Sequence, residues 1–265
     1  GQGTEGRGQI LIATESGEHV RTLSTAGTSG LNRVFWDLRY ESSSTPRLRT
    51  IPLEHSHRDI GPSGWRPPPD GGVVRPLAVP GLYQVTIVLE GHEQQSVWLE
   101  VLQDPESSAS TSDMEAQLNL QLELRELSDS TGALINRIEW TRKSLEDLEE
   151  RLTGDPSYSD VVTAGEMLDQ LLIELEMGLF DLRLTGGSAR QDTIRWPRQL
   201  WAKLSSLSGY SSGSDDRPSD QMLEIRTIYR QRVTDSLLRW AEIAASDLAR
   251  FNQVLAEQGL PPIIS

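Results

Sequence analysis

The chain has 265 residues, of which 36% are hydrophobic, and this length is sufficient for two ordinary domains. Its net charge of −14 is unevenly divided: residues 1–103 contain 9 basic and 11 acidic residues, whereas residues 104–265 contain 16 and 28. Such an acidic surface repels phosphate backbones and excludes nucleic acid as an expected partner. The lack of cysteine excludes disulfides, thiolate metal sites and a cysteine nucleophile, and no apolar run approaches the ~20 residues of a membrane span.

The first hundred residues predict an antiparallel β-sandwich. Two short apolar runs, 10–13 and 19–23, flank the turn "ESGE". The stretch "GLNRVFWDLRY" predicts a third strand, whose inward positions are Leu31, Val34, Trp36 and Leu38. Two more strands meet at Gly91, and their apolar residues alternate at period two: Tyr83, Val85, Ile87 and Leu89, then Val97, Leu99 and Val101. About five to seven strands at this spacing are typical of a sandwich.

Three aromatic residues on these strands have two interpretations. Trp36, Tyr83 and Trp98 could form a platform on which a carbohydrate stacks. Aromatic residues on strands more often pack in the core, and we favour that interpretation.

Residues 41–80 predict a long loop inside the β half. Eight prolines and several glycines exclude a central strand or a helix there. The loop contains "HSHRD", and His55, His57 and Asp59 could offer two imidazoles and a carboxylate to a metal. No third histidine stands nearby and no regular element would hold the group, so solvated loop residues are the favoured interpretation. Trp65 and other scattered apolar residues nevertheless predict that the loop lies against another surface.

The second half predicts a helical bundle. Ser112 and Glu115 fit a capping box, and apolar residues at steps of four and three then predict one helix of about 40 residues that ends at "TGDP". A second helix is predicted from about Ser159 to Leu184, with a stop at Gly186–Gly187. A short helix starting at Pro197 and a long one from about Ser219 to Gln258 complete an up-and-down antiparallel arrangement.

The helical half contains no recognisable catalytic group. A di-metal carboxylate bundle needs Glu-x-x-His pairs, and residues 104–265 contain no histidine. Asp215–Asp216 falls in a predicted loop and Glu149–Glu150 on a solvated face, whereas glycosidase carboxylates are held at a fixed separation on rigid elements. A P-loop pattern is also absent. We therefore predict no catalytic, cofactor-binding or metal residues and an incomplete enzyme at most.

These patterns together predict an α+β multidomain chain. Residues 1–103 would form the sandwich with its loop 41–80, residues 104–112 a linker, and residues 113–265 the helical bundle.

Several motifs carry a resemblance that covers nearly the whole chain from about residue 8. "GEHVRTL", "GLNRVFWDLRY", "VPGLYQVTIVLEG" and "VWLEVLQDPE" resemble the Ig-like module that follows the propeller in bacterial sortilin-type, BNR-repeat sialidase-like proteins, which are often labelled glycosyl hydrolases. The first two also resemble the Ig-like domain of flagellar hook-capping proteins. "DTIRWPRQLWAKLSSLSGY", "DRPSDQM" and "DLARFNQVLAEQGLPPI" are similar to the C-terminal region of the sortilin-type family.

The resemblance implies a non-catalytic C-terminal region of an exported β-propeller protein. The propeller would precede this chain, whose first residues "GQGTEGRG" resemble a cut inside a longer protein, and the location would be periplasmic or extracellular. The sandwich would brace the propeller, the bundle would space or dock partners, and loop 41–80 would lie on the propeller or on the sandwich edge. The alternative is a carbohydrate-binding accessory module of a glycosidase-like enzyme, in which Trp65, His55 and His57 are the expected ligand or interface contacts.

Overall fold

A computed structural model describes residues 8–25, 27, 30–55, 57–185 and 192–264. By their internal contacts these residues form two compact units that interleave along the chain. The first unit combines the described residues of 1–43 with 74–125 and 208–223, and the second combines those of 44–73, 126–207 and 224–265. The middle of the proline-rich loop therefore groups with helices, and the start of the long helix groups with the strands.

Four antiparallel strands form the sheet of the first unit: β1 Gly8–Thr14, β2 His19–Thr25, β3 Gly81–Leu89 and β4 Gln95–Val101. Their order in the sheet is β2-β1-β3-β4, so β2 and β4 are the edges. Gly17 and Gly91 adopt positive φ angles of 87° and 78° in the β1–β2 and β3–β4 turns, a conformation that glycine reaches without a steric penalty. All four predicted runs are confirmed as strands.

The predicted third strand is wrong. Residues 31–37 form no strand, Leu31 is exposed, and Leu38 has a φ of 56°, which breaks the extended backbone that a period-two pattern needs. The indole N–H of Trp36 donates to the carbonyl oxygen of Arg39, so this segment folds on itself locally. Within the described residues the sheet has four strands in one layer, and a second layer of an Ig-like sandwich is not confirmed.

A small hydrophobic core lies on one face of this sheet, over β1, β2 and the start of β3. Its buried members are Ile12, Val20, Tyr40, Ala78 and Tyr83, and residues from the start of the long helix pack against them. Trp36 meets Tyr83 edge-on, with ring centroids 5.2 Å apart. The core interpretation of these two aromatic residues is therefore confirmed.

The helices are α1 Thr111–Leu152, α2 Ser159–Leu179, α3 Asp192–Arg195, α4 Leu200–Ser211, α5 Asp220–Ile243 and α6 Ala249–Glu257. The 42-residue α1 confirms the predicted long helix. Its cap lies two residues earlier than predicted, because Ser110 and Asp113 each accept the other's backbone N–H. A π-helical turn, Ala244–Leu248, joins α5 to α6 inside the single helix that the pattern predicts.

Helix α2 ends five residues before the predicted Leu184. Phe180 is extended, with φ −147° and ψ 139°, and it ends the helix; Phe180, Leu182 and Leu184 are nevertheless buried. The predicted stop at Gly186–Gly187 lies outside the described residues, and α4 begins three residues after Pro197. In the described part of the chain, none of the helices combines the length and the apolar character that a membrane crossing needs.

Candidate functional site

A polar stripe on α1 binds an extended piece of the proline-rich loop. Asp129, Asn136, Glu139 and Arg142 follow one another at steps of seven, three and three, which places them on one face of the helix. Asp129 accepts hydrogen bonds from the N–H and the hydroxyl of Ser44, at 2.7 and 2.8 Å. The side-chain oxygen of Asn136 accepts from the N–H of Arg47 at 2.8 Å.

The spacing of these contacts shows that segment 44–50 runs along α1 in the same direction. Residues 129 and 142 are thirteen positions apart, about 20 Å along a helix axis. Residues 44 and 50 are six positions apart, also about 20 Å in an extended chain. The length of α1 between these contacts therefore matches the length of the extended segment. The surface that holds this part of the loop is a helix of the same chain, a contact that the sequence did not predict.

Glu139 closes this contact from a wholly buried position. Its carboxyl group accepts hydrogen bonds from the backbone N–H groups of Arg49 and Thr50 and, at 3.0 Å, from the Thr50 hydroxyl. Two consecutive backbone amides of the loop are thus satisfied by one side chain of the helix.

Arg142 joins Glu139 to α2. Its guanidinium donates to Asp169 at 2.9 Å, to Glu176 at 3.1 Å and to the Thr50 hydroxyl at 3.1 Å. Burial by itself lowers the pKa of Arg142, but the carboxylates of Glu176 and Asp169 outweigh it and raise that pKa above its ordinary value. We refer to Thr50, Glu139, Arg142, Asp169 and Glu176 as the buried charge cluster.

Glu176, like Glu139, is a wholly buried carboxyl group of this cluster. Burial raises its pKa well above the ordinary range, and the neighbouring charge of Glu139 raises it further, whereas Arg142 lowers it. Removing one partner of such a buried pair typically costs 3–5 kcal/mol, since the other charge stays buried without compensation. The cluster can therefore hold segment 44–50 against α1 and α2.

A cavity of about 230 Å³ lies beside the cluster, lined by α1, α2 and Phe251 of α6. Glu146 and Asp169 reach its wall, but Glu139 and Glu176 are not among the lining residues. A molecule in this cavity would meet Asp169 and would not touch the two fully buried acids. The space that a substrate could enter therefore does not reach Glu139 or Glu176.

The predicted loop residues lie apart from this cluster. The rings of His55 and His57 meet edge-on, with centroids 5.8 Å apart, and His57 and Asp59 are exposed. Across the residues that the structure describes, no three His, Asp or Glu side chains are arranged to hold a metal ion. Trp65 is half-buried, and the Arg47 guanidinium stacks 4.9 Å from its ring centre, which occupies one face of the indole.

The three strand aromatics do not form one platform. Tyr83 is buried in the core, and its hydroxyl donates to the carbonyl oxygen of Val79. Trp98 is 57% exposed and pairs with Gln84, which points to the opposite face of the sheet from Tyr83. A sugar ring stacked on Trp98 would therefore not reach Trp36 or Tyr83.

Sequence reasoning missed Glu139, Arg142 and Glu176. One signal was present: Glu176 stands four residues after buried Leu172 and three before buried Leu179, a position that the apolar spacing reserves for the core. A charged residue at such a position requires a buried partner. Its partner, however, is 34 residues away on α1, and spacing alone does not reveal the pairing.

The β4 side of the sheet offers a second surface. Ile87 on β3 and Val97 and Leu99 on β4 point to the same face as Tyr83, and they are 41%, 62% and 41% exposed. A cavity of about 560 Å³ beside Ile87 is also lined by Ile10, Val34 and Leu89, together with polar and glycine neighbours. The core thus covers the inner face on β1, β2 and the first half of β3 and leaves apolar side chains accessible at Ile87 and along β4.

Comparison with protein-family models, with curated proteins and with solved structures found no match to this chain. Its function is therefore argued from the two surfaces described above.

Proposed function

We propose that this chain is a non-catalytic structural and interaction region that docks through the inner face of its sheet on a β-propeller of the same polypeptide. The observation that supports this most directly is the accessible apolar part of that face toward β4, formed by Ile87, Val97 and Leu99. A single twisted sheet becomes stable when a second layer covers its apolar face. In this proposal the sheet is one layer of an Ig-like module, and the propeller completes it.

Docking would gain free energy by burying these three side chains further. Complete burial of an aliphatic side chain typically contributes about 1.5–3 kcal/mol, and each of the three already has part of its surface covered. Strand β4 is also an edge of the sheet that the described residues form. Its outward N–H and C=O groups therefore have no neighbouring strand in that sheet. Docking here would cover both the apolar side chains and this edge.

The non-catalytic part of the proposal draws on the buried charge cluster. Glu139 and Arg142 use their polar atoms to hold segment 44–50 and α2, and the cavity beside them does not reach Glu139 or Glu176. We expect no turnover of glycosides by the purified chain. Hydrolysis that disappears in E139Q or E176Q would contradict this part of the proposal.

Binding in solution tests the docking face. The inward-pointing Val97 and the outward-pointing Ser96 are adjacent and exposed on β4, so Val97→Asp and Ser96→Asp place the same charge on opposite faces. Titration calorimetry with the purified propeller should show at least about tenfold weaker binding for V97D, or about 1.4 kcal/mol. Binding by S96D should equal that of the wild type. Equal effects of the two substitutions, or a reading frame without a propeller, would overturn the proposal.

The proposal includes export of the polypeptide to the periplasm or the extracellular space, which the family resemblance implies. Fractionation of cells that express the complete polypeptide should recover it outside the cytosol. Recovery in the cytosolic fraction would remove the export part and leave the docking face to be tested separately.

A further inference from the structure

We infer that Glu139 and Glu176 form a buried proton-binding pair, in which one proton lies between the two carboxyl groups and is carried by Glu176. Both side chains are wholly buried. They come from α1 and α2 and belong to one hydrogen-bond network, in which Arg142 donates to Glu176 and to the Thr50 hydroxyl, and that hydroxyl donates to Glu139. A proton held between two such buried carboxyl groups removes one of their two negative charges and supplies the donor that neither carboxylate has.

The count of donors places that proton. Both oxygens of Glu139 accept hydrogen bonds, from the N–H groups of Arg49 and Thr50 and from the Thr50 hydroxyl. One oxygen of Glu176, Oε2, accepts from Arg142 at 3.1 Å, whereas Oε1 has no hydrogen-bond partner among the described residues. A proton on Oε1 that is donated to Glu139 satisfies this orphaned buried atom. Both oxygens of Glu139 then still accept hydrogen bonds from the loop.

The surrounding charges are compatible with this assignment. Arg142 and Glu146 lie on α1, Asp169 lies on α2, and Arg49 and Arg66 come from residues 44–73. Arg142 divides its donors between Asp169, Glu176 and the Thr50 hydroxyl. The Arg66 guanidinium donates to the carbonyl oxygens of Thr50 and Leu184 rather than to a carboxylate. Among the residues that the structure describes, Glu176 therefore accepts from one cationic donor, Arg142, which also donates to Asp169 and to the Thr50 hydroxyl.

The proton makes the attachment of segment 44–50 sensitive to pH. Burial raises the pKa of Glu176, so the folded state holds the proton more tightly than the unfolded state does. This contribution to stability is complete below the ordinary glutamate pKa and is lost as the pH rises through the folded value. The pair should thus favour mildly acidic conditions, opposite to the behaviour of a carboxylate whose pKa is lowered by a cation.

Infrared spectroscopy of the intact chain detects the proton directly. The wild type at about pH 7 should show a protonated-carboxyl C=O band, since ordinary glutamates are ionised there. The band should disappear in Glu176→Gln and persist in Glu174→Gln, a matched change at an exposed position two residues away on α2. A wild-type spectrum without the band at this pH would overturn the inference, whether or not the variants fold.

Thermal unfolding separates the two acids. Glutamine at 176 keeps a donor toward Glu139, so the Tm of E176Q should equal or exceed that of the wild type at about pH 8 and fall to or below it at about pH 5. E139Q should melt lower at both pH values, because its amide nitrogen faces the N–H donors of the loop. A Tm difference between wild type and E176Q that does not change with pH would contradict the inference.

Discussion

Gly71 and Gly132 both face the indole of Trp201, but they differ in the space that a side chain would find. At Gly71, with φ 85°, an added Cβ would lie 2.7 Å from ring atoms of Trp201 and 3.2 Å from the backbone of Ala202. At Gly132, inside α1, the nearest atoms would be 3.5–3.6 Å away, which is ordinary contact. One glycine is thus required by its conformation and its neighbours, and the other is not.

We predict opposite effects of alanine at these positions. G71A should lower the free energy of unfolding by roughly 1–3 kcal/mol, because it combines overpacking with a left-handed backbone. G132A should raise the free energy of unfolding by about 0.5–1 kcal/mol, because alanine favours the helix. Urea unfolding of both variants at one pH checks this. Destabilisation by G132A as large as that by G71A would contradict the described packing of Trp201.

Tyr83 gives the chain a second pH dependence, at alkaline pH. Burial, and then the neighbouring Tyr40, raise the pKa of Tyr83 to about 12. The folded state holds this proton more tightly than the unfolded state, so the stabilisation is complete below the ordinary tyrosine pKa of about 10 and is lost between about pH 10 and 12. Y83F should remove this part of the decline in unfolding free energy while losing the hydrogen bond to Val79. An unchanged alkaline decline in Y83F would contradict the assignment.

At the scale of elements, the stripe on α1 predicts graded effects along segment 44–50. E139A would leave the buried N–H groups of Arg49 and Thr50 without an acceptor, and we expect a loss of about 3–5 kcal/mol. D129A removes more exposed bonds to Ser44, and we expect a loss of about 1 kcal/mol. Urea unfolding gives the two values. Equal losses of unfolding free energy in the two variants would contradict a contact between segment 44–50 and α1 that is strongest at its buried end, at Glu139.

The elements that were predicted correctly are those with uniform periodicity. Helix α1 keeps its steps of four and three from residue 120 to residue 152, and β3 and β4 alternate around Gly91. The pattern fails where apolar residues continue past the end of a helix. Phe180, Leu182 and Leu184 extend the apolar sequence of α2 and are buried, but Phe180 is extended and a turn follows it, in which the N–H of Leu184 donates to the carbonyl oxygen of Asp181.

The buried charge cluster could not be predicted for a different reason. Its members combine a proline-rich loop with two helices, and the contact between Arg49 and Glu139 spans 90 positions in the sequence. Composition identified the loop correctly as irregular, but irregular backbone still needs hydrogen-bond partners when it is buried. Here those partners are side chains on α1, which local periodicity classifies only as polar.

In the molecule as a whole, two surfaces have different tasks. The stripe on α1 is occupied by segment 44–50 of the same chain, whereas the inner face of the sheet keeps Ile87, Val97 and Leu99 accessible. The first surface should therefore be insensitive to any partner that binds the second. This difference provides an internal control for a single measurement.

Hydrogen exchange across strand β4, Gln95–Val101, tests the docking face most directly, by comparison of this chain with the complete polypeptide, which in our proposal contains a propeller. We predict that the amides of β4 exchange rapidly in the chain alone and slowly in the complete polypeptide. The amides of Arg47, Arg49 and Thr50 should be equally protected in both, because α1 already binds them. Equal exchange of β4 in the two forms would contradict the proposed docking of the sheet on the propeller.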